Sequence, residues 1–257
     1  MGTYVVGDIH GCYDEWIQFK NSIEEQDNNA KFILVGDIID RGQKILEMIQ
    51  WAMKNITSDG KYQMVIGNHE DEKISWWKEC KKYVEQEGEL KSILNFYPDR
   101  YDFQDIFIEN NLGIEEINTV INWFSTLPYY KDIQINDKRF IIAHADIPYS
   151  IIRVNTETDE HILKDNDSLS NKDKEFIVWS RDIDGFKKIP NTILIHGHTP
   201  TITSYAFSPK DKNKVRGKIH YTHNRINVDC GLVFKYNDKN ANLAAIRLED
   251  LKEYYLY

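Results

Sequence analysis

Five apolar runs of the chain end in Asp, Asn or His, side chains that can bind metals and transfer protons. The runs are TYVVGDIHGC (3–12), FILVGDIIDRG (32–42), QMVIGNHE (63–70), RFIIAHAD (139–146) and TILIHGHT (192–199). Val and Ile favour buried strands, whereas Asp and Gly interrupt them. Each polar group is therefore predicted to lie where a strand opens into a loop.

The polar groups are expected to meet, because loops at the carboxyl ends of strands share one edge of an open α/β sheet. The set that would converge is Asp8, His10, Asp37, Asp40, Asn68, His69, His144 and His198. Oxygen and imidazole ligands without thiolate suit Mn²⁺, Fe or Zn²⁺, and the set is too rich in nitrogen for Ca²⁺. Two such ions side by side are a known device for cleaving phosphate esters.

The elements that must position these groups begin with a βαβαβ pattern. Residues 3–66 hold three β-like runs that alternate with helical segments at 13–26 and 43–55, which predicts a parallel sheet. Residues 71–127 are aromatic and charged with helical spacing, and we interpret them as a helical insertion. A single domain over residues 1–257 is expected.

The second half of the chain has a mixed pattern. Further strands or β-like runs are predicted at 139–143, 192–196, 218–221, 225–229, 232–236 and 242–248. The polar stretch at 155–175 is interpreted as a mobile surface loop, and the basic run at 208–218 as a solvated loop.

Composition limits the classes of function. The chain has 257 residues and a formal charge of −9, which argues against general nucleic-acid binding. No apolar stretch approaches the length of about 18 residues that a membrane span needs, and no leader pattern precedes the first strand, so a cytoplasmic protein is expected. The three cysteines are unpatterned, which disfavours both disulfides and a thiolate zinc site.

The motifs GDIHG, GDIIDRG, GNHE, HA and GHT, in that order, resemble the five signatures of the phosphoprotein phosphatase family of metallophosphoesterases. HADIP and IVWSR (177–181) are similar to segments of the bacteriophage lambda type. The resemblance covers residues 3 to about 248, and the ordered set is far more specific than any single motif. It implies an α/β fold: a calcineurin-like β-sandwich flanked by helices, with the helical insertion beside it.

The resemblance also implies a role for each residue. The metal ligands would be Asp8, His10 and Asp37 for one ion, and Asp37, Asn68, His144 and His198 for the other. His69 would be the general acid and Asp40 would orient it, while Arg41, Asn68 and Arg181 would bind phosphate. Two divalent ions are implied. Mn²⁺ is the expected ion, with Fe and Zn²⁺ left open because all three accept these ligands.

Three functions are consistent with these motifs. The leading hypothesis is a phosphomonoesterase that hydrolyses phosphoserine and phosphothreonine in proteins, or a small phosphoester, by in-line attack of a hydroxide held between the metals. The alternative is a symmetrical dinucleoside tetraphosphate hydrolase, a related family in which other residues usually replace Asp40 and Glu70, so those two residues are read against it. The third is an inactive phosphopeptide-binding module, which should have lost ligands.

Some histidine, arginine and aromatic residues can be explained by a structural role instead. His161, His196, His220 and His223 stand outside the motifs and are expected to be structural. Arg181 could instead form a surface ion pair, since only the short VWSR context supports it. The aromatic residues Trp76, Trp77 and Tyr83 are expected to pack a helix.

Overall fold

The computed structural model describes residues 1–87, 103–181, 189–203 and 216–256. Two five-stranded sheets form its centre. The strands of the first sheet, in spatial order, are β12 (Lys252–Tyr255), β11 (Ala244–Arg247), β1 (Thr3–Val6), β2 (Lys31–Leu34) and β3 (Tyr62–Met64). The strands of the second are β4 (Tyr130–Ile135), β5 (Lys138–Ala143), β8 (Thr192–His196), β10 (Arg225–Asn227) and β9 (His220–Thr222).

Each sheet combines parallel and antiparallel strands. Strands β1, β2 and β3 run parallel, and β11 and β12 add antiparallel pairs beside them. In the second sheet β5, β8 and β10 run parallel, flanked by antiparallel β4 and β9. Because the central strands of each sheet are parallel, their carboxyl ends lie at one edge, where the polar junctions follow.

Successive buried residues of the central strands belong to two different apolar clusters. Val5 and Ile33 belong to an apolar cluster that they share with Phe140 and Ile142 of the second sheet. Their neighbours in β1 and β2, such as Leu34, belong instead to the larger cluster formed with the helices. Since successive strand residues point to opposite faces, this split means that the sheets pack on each other and carry helices outside.

Six α-helices surround the sheets in the described residues: α1 (Tyr13–Glu24), α2 (Ile45–Asn55), α3 (Asn68–Glu87), α4 (Phe103–Glu109), α5 (Ile114–Phe124) and α6 (Asn171–Trp179). Helix α1 shows why they pack: Trp16, Phe19 and Ile23 are buried at helical spacing. Trp16 meets Phe32 of β2 edge-on, with ring centroids 5.8 Å apart. No helix within the described ranges is long and apolar enough to cross a bilayer.

The structure confirms the predicted βαβαβ unit and the sandwich flanked by helices, and it corrects two segments. The stretch 155–175 is not an irregular loop: it holds part of the hairpin of β6 (Ile152–Asn155) and β7 (Glu160–Leu163), and the start of α6. A capping box between Ser170 and Asp173 begins that helix.

The run at 232–236 is not a strand, because Gly231 has φ 76° and leads into a 3₁₀ turn at Leu232–Phe234. Strands β4 and β12 were not predicted. The insertion at 71–127 is helical where it is described, but residues 88–102 and most of the basic run 208–218 lie outside the described residues. The single-domain assignment stays a prediction.

Candidate metal centre

The loops after β1 and β2 hold site residues in a strained backbone. His10, Asp37, Asp40 and Arg41 have φ values of 47°, 50°, 66° and 68°. The left-handed region is costly for residues other than Gly, and it persists where the surrounding structure enforces it. The fold therefore fixes four neighbouring polar residues in conformations that the free chain disfavours.

Glu70 helps to hold the loop after β2 in this conformation. Its fully buried carboxylate accepts backbone N–H groups from Gly67 at 3.0 Å, and from Asp37 and Ile38 at 2.9 Å each. Burial, and then the nearby Asp37, raises the pKa of Glu70 to about 7. Glu70 thus ties the loop after β2 to the start of α3, where Asn68 lies.

The first turn of α3 brings two predicted site residues to Asp37. The N–H of His69 donates to Asp37 Oδ1 at 3.0 Å. Gly67 permits this approach, since a Cβ there would lie 2.2 Å from the same oxygen. Burial opposes ionisation of Asp37, but His144 and His69 outweigh it and hold the pKa of that carboxyl well below its usual range. Asp37 is therefore an anion at the centre of the site.

One group of candidate ligands joins both sheets. Asp37, His144 and His198 each offer a ligand atom within 4.8 Å of the others, and all three side chains are buried. Asn68 Oδ1 lies 2.8 Å from His144 Nε2 and 2.8 Å from His198 Nδ1. Asp37 Oδ2 is 3.3 Å from His144 Nε2. The structure thus brings together the four residues expected around one ion.

The protonation of this group fits a cation. His144 Nδ1 lies 2.8 Å from the carbonyl of Val35 and can donate its hydrogen there, so Nε2 is the atom that faces Asn68 and Asp37. Burial opposes a charge on this imidazole, but Asp37 outweighs burial and raises its pKa, which means that the carboxylate favours a positive charge at this position. Burial, and then His144 and Arg181, lowers the pKa of His198 to about 2, so this imidazole is neutral. His198 Nε2 is also buried without a hydrogen bond to any described residue. Acceptor atoms that converge in this way need a positive ion between them.

A second group shares Asp37 with the first. Ligand atoms of His10, Asp37 and His69 lie within 4.8 Å of one another, and all three side chains are buried. His10 Nδ1 is 2.9 Å from the Ile39 carbonyl, so its Nε2 presents a lone pair 3.6 Å from Asp37 Oδ2. Burial lowers the pKa of His10 to about 3. The carboxylate of Asp37 is thus common to both groups, as a bridging ligand would be.

Asp8 lies outside both three-residue groups, although it was expected to be a ligand. Its carboxylate accepts the N–H of His198 at 3.1 Å, and a Cβ on Gly197 would lie 2.0 Å from its Oδ1. Burial, followed by the carboxylates of Asp229 and Asp37, raises the pKa of Asp8 well above its usual range. Buried carboxylates that repel one another favour a cation beside them.

His69 and Asp40 form a buried dyad. His69 Nδ1 lies 2.6 Å from Asp40 Oδ2, which orients the imidazole and fixes the proton on Nδ1 when the ring is neutral. The guanidinium of Arg41 lies between two imidazoles, with Nη1 2.8 Å from His10 Nε2 and Nη2 3.0 Å from His69 Nε2. Arg41 is therefore at the centre of the site, as expected of a phosphate ligand.

Arg181 reaches the opposite side of the centre. Its Nη1 donates to Thr199 Oγ1 at 3.0 Å and lies 3.5 Å from the carbonyl of His198. The residue is exposed. These contacts place the guanidinium beside a candidate ligand, whereas the alternative of a surface ion pair has no carboxylate partner among its described contacts.

Two buried charged residues at the site were missed or left without a role. Asp229 is 3% exposed and its carboxylate accepts the N–H of Gly231 at 2.9 Å. Burial raises its pKa to about 6. The signal was present, because the predicted strand at 225–229 also ends in Asp, but Asp229 was read as part of that strand. Lys73 is fully buried, and its Nζ lies 3.2 Å from Asp40 Oδ2.

Two ligand groups that share one carboxylate lie at the carboxyl edge of a β-sandwich flanked by helices, an arrangement typical of metal-dependent phosphoesterases. The chain belongs to the calcineurin-like phosphoesterase family, whose sequence profile matches residues 1–230. This confirms the predicted fold class.

Two curated relatives are both named as bis(5'-nucleosyl)-tetraphosphatases. The chain is 28% identical over 151 residues to a symmetrical bis(5'-nucleosyl)-tetraphosphatase of Buchnera aphidicola, a match that covers 58% of this chain and 45% of the relative. The chain therefore spans about half the length of that relative. It is 26% identical over 251 residues to the asymmetrical bis(5'-nucleosyl)-tetraphosphatase PrpE of Oceanobacillus iheyensis, which covers 91% of this chain and 85% of the relative.

Solved structures support the fold alone. A serine/threonine phosphatase from Saccharomyces cerevisiae superposes with a TM-score of 0.57 at 13% identity, over 99% of this chain and 78% of that one. At such identity the likeness does not extend to substrate.

The leading hypothesis of a serine/threonine protein phosphatase is wrong. The curated relatives reported above are bis(5'-nucleosyl)-tetraphosphatases, and no phosphoprotein partner is supported by them. Asp40 and Glu70 were read against the tetraphosphatase alternative, but Glu70 accepts backbone N–H groups from Gly67 and Asp37, which gives it a supporting role in the loop after β2.

Proposed function

We propose that this chain is a metal-dependent hydrolase of dinucleoside tetraphosphates. The observation that carries the proposal is the pair of ligand groups sharing Asp37, with Arg41 between the imidazoles of His10 and His69. Such a centre suits a phosphoryl group, and the names of the curated relatives identify the class of substrate that would present it.

The ligand sets follow the motifs; the geometry supports all of their members except Asp8, which lies outside both three-residue groups. One ion would be held by Asp8, His10 and Asp37, and the other by Asp37, Asn68, His144 and His198. When bound, two divalent ions supply a water of lowered pKa and neutralise charge on the phosphoryl oxygens. Mn²⁺ remains our choice of ion, since imidazole and carboxylate ligands accept it.

The chain's own groups would position the phosphate chain. Arg41 presents two nitrogens in a planar fork that matches two phosphate oxygens, and it would exchange its imidazole contacts for them. Arg181, next to His198, would bind the phosphate from the other side. Only one phosphoanhydride link needs to occupy the centre. The guanidinium groups of Arg41 and Arg181 provide positive charge there, although the formal charge of the whole protein is −9.

His69 would hold a proton for the leaving group. Its Nδ1 is tied to Asp40, so Nε2 is the atom that faces Arg41 and the space between the ligand groups. Protonation of the leaving oxygen from this nitrogen would assist cleavage of the P–O bond.

Product analysis tests the proposal. Purified protein with Mn²⁺ should cleave diadenosine tetraphosphate, giving two ADP if the attack is symmetrical and ATP plus AMP if it is asymmetrical. Either product pair supports the proposed class, and the pair observed assigns the position of attack. Rapid hydrolysis of p-nitrophenyl phosphate with no cleavage of the dinucleotide would overturn the proposal while leaving a phosphoesterase centre.

A further inference from the structure

Trp179 is an exposed aromatic residue at the edge of the metal centre. It is the last residue of α6, and 37% of its surface is exposed. Its ring meets that of His198 edge-on, with centroids 6.0 Å apart and planes at 84°. His198 is only 6% exposed, so Trp179 marks the boundary where the buried ligand set meets solvent.

The position of Trp179 is fixed by its neighbours. Ile177 and Val178 are fully buried and anchor the end of α6 in the core. The carbonyl of Ile177 accepts the N–H of Ala145 at 2.9 Å, and Ala145 follows the candidate ligand His144. The backbone that carries Trp179 is therefore connected to the ligand loop, and the ring itself packs against His198.

Phosphate would lie next to this surface. Arg181 follows Trp179 by two residues, and its guanidinium reaches Thr199 and the carbonyl of His198. A phosphate bound by Arg181 and the ion at His198 would place the attached nucleoside within reach of the indole. Aromatic faces are standard stacking partners for nucleobases, and stacking is tolerant of base identity.

We propose that Trp179 is the stacking residue for one nucleobase of the substrate and sets the preference for nucleoside-linked phosphates. The inference rests on the proposed function, since a dinucleoside substrate provides the base. Tyr236 is the competing candidate, at 68% exposed, in a small cavity of about 110 Å³ that also includes Arg41. Lys235 Nζ lies 4.7 Å from the centroid of its ring and covers one of its two faces, whereas the ring of Trp179 directly contacts the candidate ligand His198.

Inhibition of p-nitrophenyl phosphate hydrolysis tests the proposal independently of dinucleotide cleavage. AMP and ribose 5-phosphate carry the same phosphate, but only AMP has a base. In the unaltered protein AMP should inhibit on the order of tenfold more strongly, a typical gain from stacking one base. Trp179→Ala should bring the two inhibitors to similar strength, and Trp179→Phe should restore most of the difference.

The matched control is Phe176→Ala, because Phe176 is 36% exposed on the same helix. This variant and Tyr236→Ala should keep the full preference for AMP. The same substitutions are then compared on diadenosine tetraphosphate, where Trp179→Ala should raise KM by a similar factor with little change in kcat.

Two outcomes would overturn the stacking role. One is an unchanged preference for AMP in Trp179→Ala. The other is an equal loss of p-nitrophenyl phosphate hydrolysis and of AMP binding, which would indicate that Trp179 only supports His198. Failure of the proposed function itself would show differently, as an AMP preference that depends on Trp179 in a protein that leaves the dinucleotide intact.

Discussion

The ammonium of Lys73 lies 3.2 Å from the carboxylate of Asp40, and both side chains are completely buried. Lys73 follows His69 by one turn of α3, so the two residues meet the same Asp40 oxygen from one helix face. Asp40 itself has a φ of 66°, a conformation that needs support. Lys73 therefore helps to hold the residue that orients the proposed acid.

Lys73→Met should destabilise the protein strongly. Removing one partner of a buried ion pair leaves an uncompensated charge and typically costs about 3–5 kcal/mol. The free energy of unfolding, from urea titration, should fall by that amount. Lys82→Met is the control on the same helix, since Lys82 pairs with Glu79 where both side chains are more than half exposed, and its effect should stay below about 1 kcal/mol.

The double variant Lys73→Met/Asp40→Asn separates charge from packing. Neutralising the orphaned carboxylate should recover part of the lost stability, because the buried charge is then gone. A double variant no more stable than Lys73→Met alone would argue that Lys73 stabilises the fold through its packing and not through Asp40.

Glu70→Ala should unfold the loop that carries Asp37. The substitution leaves three buried backbone N–H groups without their acceptor, and each such group costs about 1–3 kcal/mol. Glu70→Gln keeps one acceptor oxygen and should be milder. Thermal unfolding of both variants checks the order, and an alanine variant as stable as the unaltered protein would exclude the supporting role.

Much of the fold was predictable because its signals are local. The apolar runs of β1, β2 and β8 each end in a polar residue, and both helices of the βαβαβ unit have clear apolar faces. Strand β4 was missed because its outward residues, such as Asp132, interrupt the pattern at an edge of the sheet. Hairpin β6–β7 was missed because it is polar and partly exposed, so it carries little apolar periodicity.

The candidate ligands were predictable from motif order, but their supports were not. Lys73 stands in a charged stretch of α3 that gives no sign of burial, and its environment depends on residues distant in the chain. The substrate was wrongly predicted for a similar reason: the motifs describe the phosphoryl centre, whereas preference depends on surrounding residues such as Trp179.

Asp37→Asn should weaken both metal sites together. Asp37 belongs to both ligand groups, whereas His198 belongs to one. Metal analysis after dialysis should therefore show Asp37→Asn with neither ion retained at full occupancy and His198→Ala with mainly one lost. His196→Ala is a useful comparison, because this buried histidine is the last residue of β8, two residues before His198, but lies in neither group. Two tightly bound ions in Asp37→Asn would rule out the bridging assignment.

His69→Asn should show whether His69 acts as an acid. Loss of a general acid costs about 10²–10⁴-fold in rate, and the cost should be greatest for poor leaving groups, which most need a proton. The rate on phenyl phosphate should therefore fall much further than the rate on p-nitrophenyl phosphate, whose leaving group departs readily as an anion. Both substrates present the same phosphoryl group, so a loss of metal or of Arg41 contacts would reduce them alike.

Asp40→Asn completes the test of the dyad. His69 Nδ1 lies 2.6 Å from Asp40 Oδ2, and an amide in place of the carboxylate removes the charge that stabilises a protonated imidazole. The variant should show the same dependence on leaving group as His69→Asn, with a smaller loss, because the imidazole is still present. Adding His69→Asn to Asp40→Asn should cost less than the product of the two separate losses, since residues that act as a unit are not additive. Fully multiplicative losses, equal on both substrates, would show that the two residues contribute separately and that His69 serves the metal centre and not the leaving group.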